Sequence, residues 1–361
     1  MQLPNERELK RIAAHLITYS NTKAKRRLKK NNIDSIALFD IPRSELPGLG
    51  FEPAEIDAIC SRDVSIAQRE ITTCNANGIH VIFRESEYYP SLLNKIFNPP
   101  DFIYVKGDLD VLKTKMLAVV GSRKASRYGG NALHSLLPPL CRAGLTIVSG
   151  MAYGIDSISH RVAVQQGGKT IGINAGGLLH LYPSGHHSLF PQIIANGCII
   201  SEFPIDVIPR PYHFPIRNRI IAGVSAAVLV VEAAMRSGSL ITARLALDQN
   251  RDVLAVPGPI DSPSSRGTNH LIQQGAKLVA GADDILEEYN LPTSSDELDL
   301  RSQLNQKEIK LLDLIGVNEV KDIDYFVEQT GMSVSEVISV LMGLILKNLL
   351  LEADGGYRRI T

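Results

Sequence analysis

Residues 116–156 read MLAVVGSRKASRYGGNALHSLLPPLCRAGLTIVSGMAYGID and contain the pattern that decides the fold. Two short apolar runs, Met116–Val120 and Leu145–Ser149, lie near its two ends, and each leads into a turn rich in glycine and serine. Such runs are typical of strands that are buried on both faces of a parallel sheet. The stretch therefore predicts two neighbouring strands of an α/β fold.

The same pattern recurs along the middle of the chain. Four further runs are Thr170–Asn174, Cys198–Ser201, Ala227–Glu232 and Asp252–Val256, and helical stretches such as Ser239–Gln249 lie between them. This alternation predicts a Rossmann-like parallel sheet. Ligands of such sheets bind beyond the carboxyl ends of the strands, so the residues that follow each run are the first candidates for a binding site.

The flanking regions predict further domains. Residues 1–70 read as short helices, and their Gly48-x-Gly50 turn is similar to the hairpin of SAM-like or helix-hairpin-helix modules. Residues 291–304 contain Pro292 and a polar cluster, as a linker does. Residues 305–361 show three helical patterns and a terminal hairpin, which is the order of a winged helix. The expected domains are therefore residues 1–70 (SAM-like), 71–290 (Rossmann-like) and 305–361 (winged-helix), with the linker at 291–304.

Composition and charge describe a folded protein whose charge is unevenly distributed. Hydrophobic residues make up 44% of the 361 residues, and 38 Lys and Arg balance 38 Asp and Glu. Residues 71–290 hold 19 basic against 16 acidic side chains, whereas residues 305–361 hold six against nine. This distribution favours the middle of the chain for an anionic partner.

Cysteine usage and hydropathy point to the cytoplasm. The four cysteines are scattered and include no Cys-x-x-Cys pair, so we expect reduced thiols rather than a disulfide framework or a zinc site. No signal peptide and no apolar run of about 18 residues is present, which predicts a protein without a membrane segment. His160 and the His186–His187 pair lack the ligand spacing of a metal site.

Glycine- and serine-rich turns after three predicted strands predict an anion site. These turns are Gly121-Ser122-Arg123, the Ser149–Asp156 turn with Gly150, and Ser237-Gly238-Ser239. Glycine admits close backbone approach, helix N-termini present free amides, and arginine offers a planar fork that matches phosphate.

An arginine-rich element is the fourth part of this predicted site. It runs from Phe214 through Arg217, Asn218 and Arg219, and Arg210 precedes it. Arginines that lie so close together are costly to bury without an anionic partner.

The spacing excludes two common phosphate sites. The Gly-x-Gly-x-x-Gly pattern of a dinucleotide site does not fit, and the Gly-Lys-Ser/Thr of a P-loop is absent, so no cofactor is expected. A run of phosphates suits the arginines better. Tyr153, Tyr212, His213 and Phe214 are available to stack bases, as in single-stranded DNA binding.

Several segments, in order, resemble the DprA/Smf family (DNA-processing protein A). They are Gly121-Ser122-Arg123, the Ser149–Asp156 turn, FPIRNRIIAG at 214–223, EAAMRSGSLITA at 232–243, VPG at 256–258 and RGTN at 266–269, with Tyr89-Pro90-x-x-Leu93 and Pro99-Pro100 upstream. The resemblance spans roughly residues 75–285. One departure is His186, where the family usually has Asn after Tyr182-Pro183.

This resemblance implies a non-enzymatic protein that binds single-stranded DNA during natural transformation and assists loading of the recombinase RecA. It also implies a homodimer formed through the Rossmann-like domain. By motif, the resemblance implies DNA contacts for Arg123, Arg217, Asn218 and Arg219, and Arg210 lies where the family tends to have a basic residue. Together with the turns described above, the predicted DNA-binding residues are Gly121, Ser122, Arg123, Gly150, Arg210, Phe214, Arg217, Asn218, Arg219, Gly238 and Ser239.

Two alternatives to single-stranded DNA binding remain open. A Rossmann-like nucleotide phosphoribohydrolase needs a catalytic carboxylate, yet the segment Ser237–Arg244 lacks the acid that those enzymes carry, and Glu232 and Asp156 are explained as a cap or as arginine partners. A duplex-binding regulator needs basic or amide side chains on its recognition helix. Residues 333–346 contain Glu336 and no Lys or Arg, so we expect this segment to serve protein contacts or orientation.

Overall fold

A nine-stranded sheet organises the larger of two compact units. The computed structural model describes residues 4–19, 21–31, 33–34, 36–293, 304–316, 319–347, 349–353 and 355–359. The larger unit comprises the described residues of Met1–His134 and Leu145–Leu278, and the smaller comprises those of Ser135–Gly144 and Val279–Thr361.

The sheet is parallel over seven of its nine strands. Its order is β1-β2-β6-β5-β4-β3-β7-β8-β9, and β1 and β2 run antiparallel to their neighbours. The strands are β1 His80–Phe83, β2 Phe102–Gly107, β3 Met116–Val120, β4 Thr146–Ser149, β5 Thr170–Ile173, β6 Gly197–Ser201, β7 Ala227–Val230, β8 Asp252–Ala255 and β9 Lys277–Leu278.

Helices alternate with the parallel strands and precede the sheet. Before the sheet come α1 Glu6–Tyr19, α2 Thr22–Lys30, α3 Leu46–Leu49, α4 Pro53–Cys60 and α5 Ser65–Ala76. Between and after the strands come α6 Arg127–Arg142, α7 Ile155–Gln165, α8 Leu189–Ala195, α9 His213–Val224, α10 Gly238–Asp248, α11 Arg266–Gln273 and α12 Asp283–Glu288.

The strand order contains a topological switch next to β3. The chain proceeds from β3 through β4 and β5 to β6 on one side, and then returns to place β7 on the other side of β3. The carboxyl ends of β3, β4 and β7 consequently open a crevice, which is where ligands of such sheets bind.

The prediction of an α/β fold with a large parallel sheet is confirmed. All six predicted strands form, with ends shifted by at most two residues, because fully buried positions such as Leu117, Ile147 and Val228 need no alternation of polar side chains. The antiparallel strands β1 and β2 and the short β9 were not predicted.

The N-terminal helices share a hydrophobic cluster with the sheet. Ile12 and Leu38 belong to the same buried cluster as Phe102, Tyr104 and Ile199. The buried Arg11 guanidinium ties α1 to the segment before β2, since it donates to both carboxylate oxygens of Asp101 at 2.9 and 2.7 Å. The SAM-like class and the boundary near residue 70 stay predictions.

In the smaller unit, the described residues of 304–359 form three helices and a three-stranded sheet around a core of their own. The helices are α13 Gln306–Asp313, α14 Ile323–Thr330 and α15 Val334–Leu346, and the sheet has the order β10-β12-β11 with strands β10 Val320–Lys321, β11 Leu350–Ala353 and β12 Gly356–Arg359. Capping boxes begin α13 and α15. The helical patterns and the hairpin appear where the sequence predicts them, while the winged-helix class stays a prediction.

Among the described residues, no single helix is long and apolar enough to cross a bilayer. There, only α14 and α15 taken together have the length and apolar composition of a membrane span, and the chain bends by 112° between these two helices.

The four cysteines form no disulfide bonds.

Candidate nucleic-acid interface

A cleft of about 420 Å³ lies at the switch point of the sheet. Three strand ends contribute to it: the turn after β3, the turn after β4, and the loop from β7 into α10. Helix α9 forms its remaining side. The lining includes Gly121, Ser122, Arg123, Ala152, Asp156, Pro211, Phe214, Arg217, Asn218, Ile221, Ser237, Gly238, Ser239, Ile241 and Thr242.

The turn after β3 is held by hydrogen bonds at both ends. The Ser122 hydroxyl accepts from the Lys124 amide at 3.1 Å, and the Ser122 carbonyl accepts from the Ile155 amide at the start of α7. At the far end, the buried Glu232 carboxylate accepts from the amide and the hydroxyl of Ser126, at 2.9 and 2.5 Å. The turn is therefore fixed before any ligand arrives.

Arg217 is a buried cation beneath the cleft. It is only 3% exposed, and its Nη1 donates to the carbonyls of Gly150 and Ile173 at 2.5 Å each. Burial lowers the pKa of this guanidinium to about 10, while the nearby Asp156 carboxylate opposes the shift. Burial raises the pKa of Asp156, and the charge of Arg217 counters it. Arg217 thus joins the ends of β4 and β5, and its Nε has no partner among the described residues.

Two glycines permit this close packing. A Cβ at Gly150 would collide with the Arg217 guanidinium and with the Asp156 carboxylate. Gly154 has a φ of +76°, and a Cβ there would collide with the backbone of Ser122 and Arg123. Only glycine combines that backbone conformation with so close an approach.

Arg123 lies at the exposed side of the cleft. Its guanidinium carbon is 5.1 Å from the ring centroid of Phe214, a cation–π distance. It makes no salt bridge within the part of the chain that the structure describes. Tyr182 packs edge-on against the same Phe214 ring, with 5.5 Å between centroids. An exposed cation thus stands beside an aromatic pair.

The N-terminus of α10 forms the opposite wall. The Ser237 hydroxyl caps the helix by accepting from the Ser239 amide at 3.3 Å, and the two hydroxyls lie 2.7 Å apart. Gly238 is exposed, and a Cβ there would meet no atom within 4 Å. The positive end of an 11-residue helix therefore faces open space in the cleft.

The structure brings eight of the eleven predicted site residues to the cleft. They are Gly121, Ser122, Arg123, Phe214, Arg217, Asn218, Gly238 and Ser239. Gly150 lies behind Arg217 and offers only its carbonyl to that side chain. Arg210 is exposed but does not line the cleft.

Arg219 lies on another surface of the molecule. It is paired with Glu202 and donates to the Asn98 carbonyl at 2.8 Å. The reason is helical geometry, because residues two apart on α9 point about 200° away from each other. Arg217 and Arg219 therefore cannot face one cleft, and the grouping of these two arginines in one site is corrected.

Sequence reasoning missed the apolar part of the lining. Pro211, Ile221 and Ile241 border the cleft, and so does the buried Thr242. The helical spacing of Phe214, Arg217, Asn218 and Ile221 was the available signal, since these positions share one face of α9. Among the described residues, no cluster of three or more His, Cys, Asp or Glu side chains could hold a metal.

Residues 80–290 match the family model described as DNA recombination-mediator protein A. The chain belongs to this family. Members of the DNA recombination-mediator protein A family act in DNA processing as mediators rather than as catalytic enzymes, which decides against the phosphoribohydrolase alternative.

Individual relatives of the family cover most of the chain. Protein Smf of Escherichia coli is 41% identical over 78% of this chain and 77% of its own length. The DNA processing protein DprA of Bacillus subtilis is 42% identical over 61% of this chain and 74% of its own length.

Solved structures from the family also match. DNA processing protein A from Streptococcus pneumoniae aligns with a TM-score of 0.64 and 34% identity, covering 80% of this chain and 99% of that one. DNA processing protein A from Helicobacter pylori, solved to describe its single-stranded DNA binding mode, aligns with a TM-score of 0.54 and 28% identity, over 58% of this chain and 95% of that one.

Proposed function

We propose that this chain binds single-stranded DNA in the cleft at the switch point and acts there as a recombination mediator. The observation that carries the proposal is Arg123, an exposed guanidinium beside the Phe214 ring that makes no salt bridge among the described residues. A phosphate beside Arg123 and a base against Phe214 would use both groups together.

The remaining walls suit a phosphate backbone. The α10 N-terminus supplies a positive helix end and the hydroxyls of Ser237 and Ser239. Gly121 and Ser122 bring main chain to the opposite wall, and Asn218 adds an amide. Arg217 contributes a buried positive charge and its unpartnered Nε. Gly150 supports the site by holding Arg217.

Two of the expected DNA-binding residues take a different part in this proposal. Arg210 is exposed just before α9, so it can reach a strand that continues past the cleft. Arg219 is excluded from the cleft and pairs with Glu202. Single-stranded DNA is preferred over duplex because only unpaired bases expose a face that can stack on Phe214 and Tyr182.

Family membership supports the wider role. The Helicobacter pylori relative binds single-stranded DNA, and we propose the same ligand here during DNA uptake in natural transformation. We further propose the recombinase RecA as a partner and a homodimer formed through the sheet-bearing unit. The proposed layout, in a cytoplasmic protein, is a SAM-like N-terminus followed by the Rossmann-like core and a C-terminal winged helix used for protein contacts.

The proposal is tested by fluorescence anisotropy of labelled oligothymidine and of a matching duplex over a salt series. We expect tighter binding of the single strand, and about tenfold weaker binding by Arg123→Ala. The salt slope of that variant falls by about 0.7 if one phosphate contact is lost. Arg69→Ala, which removes an exposed arginine from α5, serves as the charge-matched control. Equal affinity of Arg123→Ala and Arg69→Ala for the single strand would contradict the placement.

A further inference from the structure

A second pocket of about 500 Å³ lies between α1, α2 and the segment that leads into β2. We propose that this pocket binds one nucleotide, with the base against its apolar wall beside Glu202 and the phosphate at the lysines of α2. The site is separate from the cleft, and the proposal does not depend on DNA binding there.

The wall of the pocket suits a flat ring. Leu28, Leu38, Pro100 and Phe102 are buried residues that line the pocket. His15 packs edge-on against Phe102, with 5.1 Å between ring centroids. A nucleobase would contact this apolar and aromatic part of the lining.

A buried acceptor in the same wall lacks a partner. Glu202 is 7% exposed, and its Oε2 accepts from Arg219, while its Oε1 is buried without a hydrogen bond among the described residues. The His15 imidazole beside it interacts with the backbone of Glu202. Burial lowers the pKa of His15 to about 3, so its imidazole is neutral at ordinary pH. Leaving the Glu202 Oε1 unpaired costs free energy, which a ligand N–H donor at this wall would offset.

The rim of the pocket carries an excess of positive charge. Lys25, Arg26 and Lys29 line it from α2 and make no salt bridge in the described part of the chain. The Glu202 carboxylate favours the charged form of Lys25, and Arg26 and Lys29 add further positive charge. The pocket's three carboxylates are already engaged: Asp101 accepts from Arg11, Glu202 pairs with Arg219, and Asp34 accepts from two backbone amides. An anionic group is therefore favoured at the rim.

An exposed ring extends the same surface. Phe97 is 90% exposed, and the Lys29 ammonium lies 4.5 Å from its ring centroid. The pocket thus offers an apolar slot, a buried acceptor and a cationic rim that ends in an aromatic ring.

These features together select the ligand class. The Glu202 acceptor favours a base that carries an amino group, such as adenine, cytosine or guanine. The basic residues at the rim favour a phosphate group. Thymine offers fewer donors, so its nucleotide should bind more weakly. The nucleotide has two possible sources: a free mononucleotide, or one unit of a DNA strand.

Isothermal titration calorimetry of the full-length chain with dAMP and with dTMP tests the proposal. We expect saturable binding of dAMP that is about tenfold tighter than that of dTMP. Lys25→Gln should weaken dAMP binding about fivefold, whereas Lys30→Gln should change it less than about twofold. Lys30 lies exposed on the same helix without lining the pocket, so it controls for net charge.

A further variant tests the acceptor itself. Glu202→Gln keeps an oxygen for Arg219 and presents an N–H donor in place of an acceptor, so the preference for dAMP over dTMP should disappear. Absence of saturable dAMP binding to the wild-type chain, or equal effects of Lys25→Gln and Lys30→Gln, would overturn the proposal.

A competition experiment distinguishes the two sources of the nucleotide. Displacement of dAMP by oligodeoxyadenosine, but not by oligothymidine, would identify a strand nucleotide as the occupant. Retention of dAMP on the chain saturated with oligodeoxyadenosine would identify a free nucleotide. The titrations are repeated with Arg123→Ala, which removes the phosphate contact of the cleft. Saturable dAMP binding that persists in Arg123→Ala and is weakened by Lys25→Gln belongs to this pocket, so failure at the cleft and failure at this pocket are told apart.

Discussion

The guanidinium carbon of Arg123 lies 5.1 Å from the centre of the Phe214 ring, and the guanidinium carbon of Arg217 lies 5.8 Å from the same ring. One arginine is exposed and follows β3, whereas the other is buried in α9. Phe214 therefore contacts both an exposed arginine, Arg123, and a buried arginine, Arg217, that stabilises the fold. We expect replacement of Arg123 to affect DNA binding and replacement of Arg217 to affect stability.

Replacing Phe214 should weaken DNA binding without unfolding the chain. Phe214→Leu keeps an apolar side chain but removes the aromatic face, and we expect about tenfold weaker binding of oligothymidine, as for the loss of one stacked base. Anisotropy measures the affinity, and a thermal melt checks that the fold persists. Unchanged affinity of a folded Phe214→Leu variant would show that no base stacks on this ring.

Replacing Arg217 should destabilise the fold. Arg217→Ala leaves Asp156 buried without its cation and two carbonyls without their donor, so we expect a loss of about 3–5 kcal/mol in the free energy of unfolding. Urea denaturation followed by circular dichroism measures it. Adding Asp156→Ala to Arg217→Ala should recover about 1 kcal/mol or more. Strict additivity of the two substitutions would contradict the coupling.

Two glycines at the cleft should respond differently to alanine. Gly150→Ala places a methyl group against Arg217 and Asp156, and we expect a loss of about 1–3 kcal/mol. Gly238→Ala points a methyl group into open space at the first position of α10 and should leave the free energy of unfolding within about 0.5 kcal/mol of wild type. The same urea titration compares both variants. Similar losses in the two would argue against the packing around Arg217.

Acid should destabilise the chain through His160. This residue is fully buried, its Nδ1 is 2.7 Å from the Thr170 hydroxyl, and burial lowers its pKa to about 3. In the unfolded chain a histidine has a pKa of about 6.5, so it binds a proton more readily there than in the folded chain. The folded state therefore has its full stability above about pH 6.5 and loses stability as the pH falls toward 3. Between pH 7 and pH 5 the loss from this residue is about 2 kcal/mol.

The His160→Gln variant isolates that contribution. Glutamine can still hydrogen-bond to Thr170 but does not titrate, so the difference in unfolding free energy between pH 7 and pH 5 should shrink by about 2 kcal/mol. Urea titrations of both proteins at both pH values measure this difference. If the change in unfolding free energy between pH 7 and pH 5 is the same in both proteins, then His160 is protonated in the folded state or does not cause the loss of stability in acid.

Local sequence patterns predicted most of the sheet, because each parallel strand from β3 to β8 is a short and mostly apolar run. They did not predict β1 and β2, whose antiparallel pairing joins His80 to Val105 across a loop that contains Pro99-Pro100. No short-range signal announces such a pairing. The pattern of glycine turns found the cleft, since the carboxyl ends of parallel strands meet at one edge.

Contacts between side chains that are far apart in the sequence could not be predicted from local sequence patterns. The sequence places Arg217 and Arg219 in one predicted site, but α9 directs their side chains to different faces of the helix. The contact of Glu232 with Ser126 spans 106 positions, and the pairing of Arg219 with Glu202 depends on where α9 packs. The pocket between α1 and α2 had no sequence signal beyond the basic run from Lys23 to Lys30, because His15 and Glu202 meet only in the folded chain.

The most direct test of the DNA site is photochemical cross-linking of an oligothymidine that carries 5-iodouracil, with the linked peptide identified by mass spectrometry. Stacking in the cleft predicts attachment at Phe214 or Tyr182, and loss of that attachment in Arg123→Ala. Attachment confined to α15 or to other surfaces remote from the cleft, and unaffected by Arg123→Ala, would contradict the account.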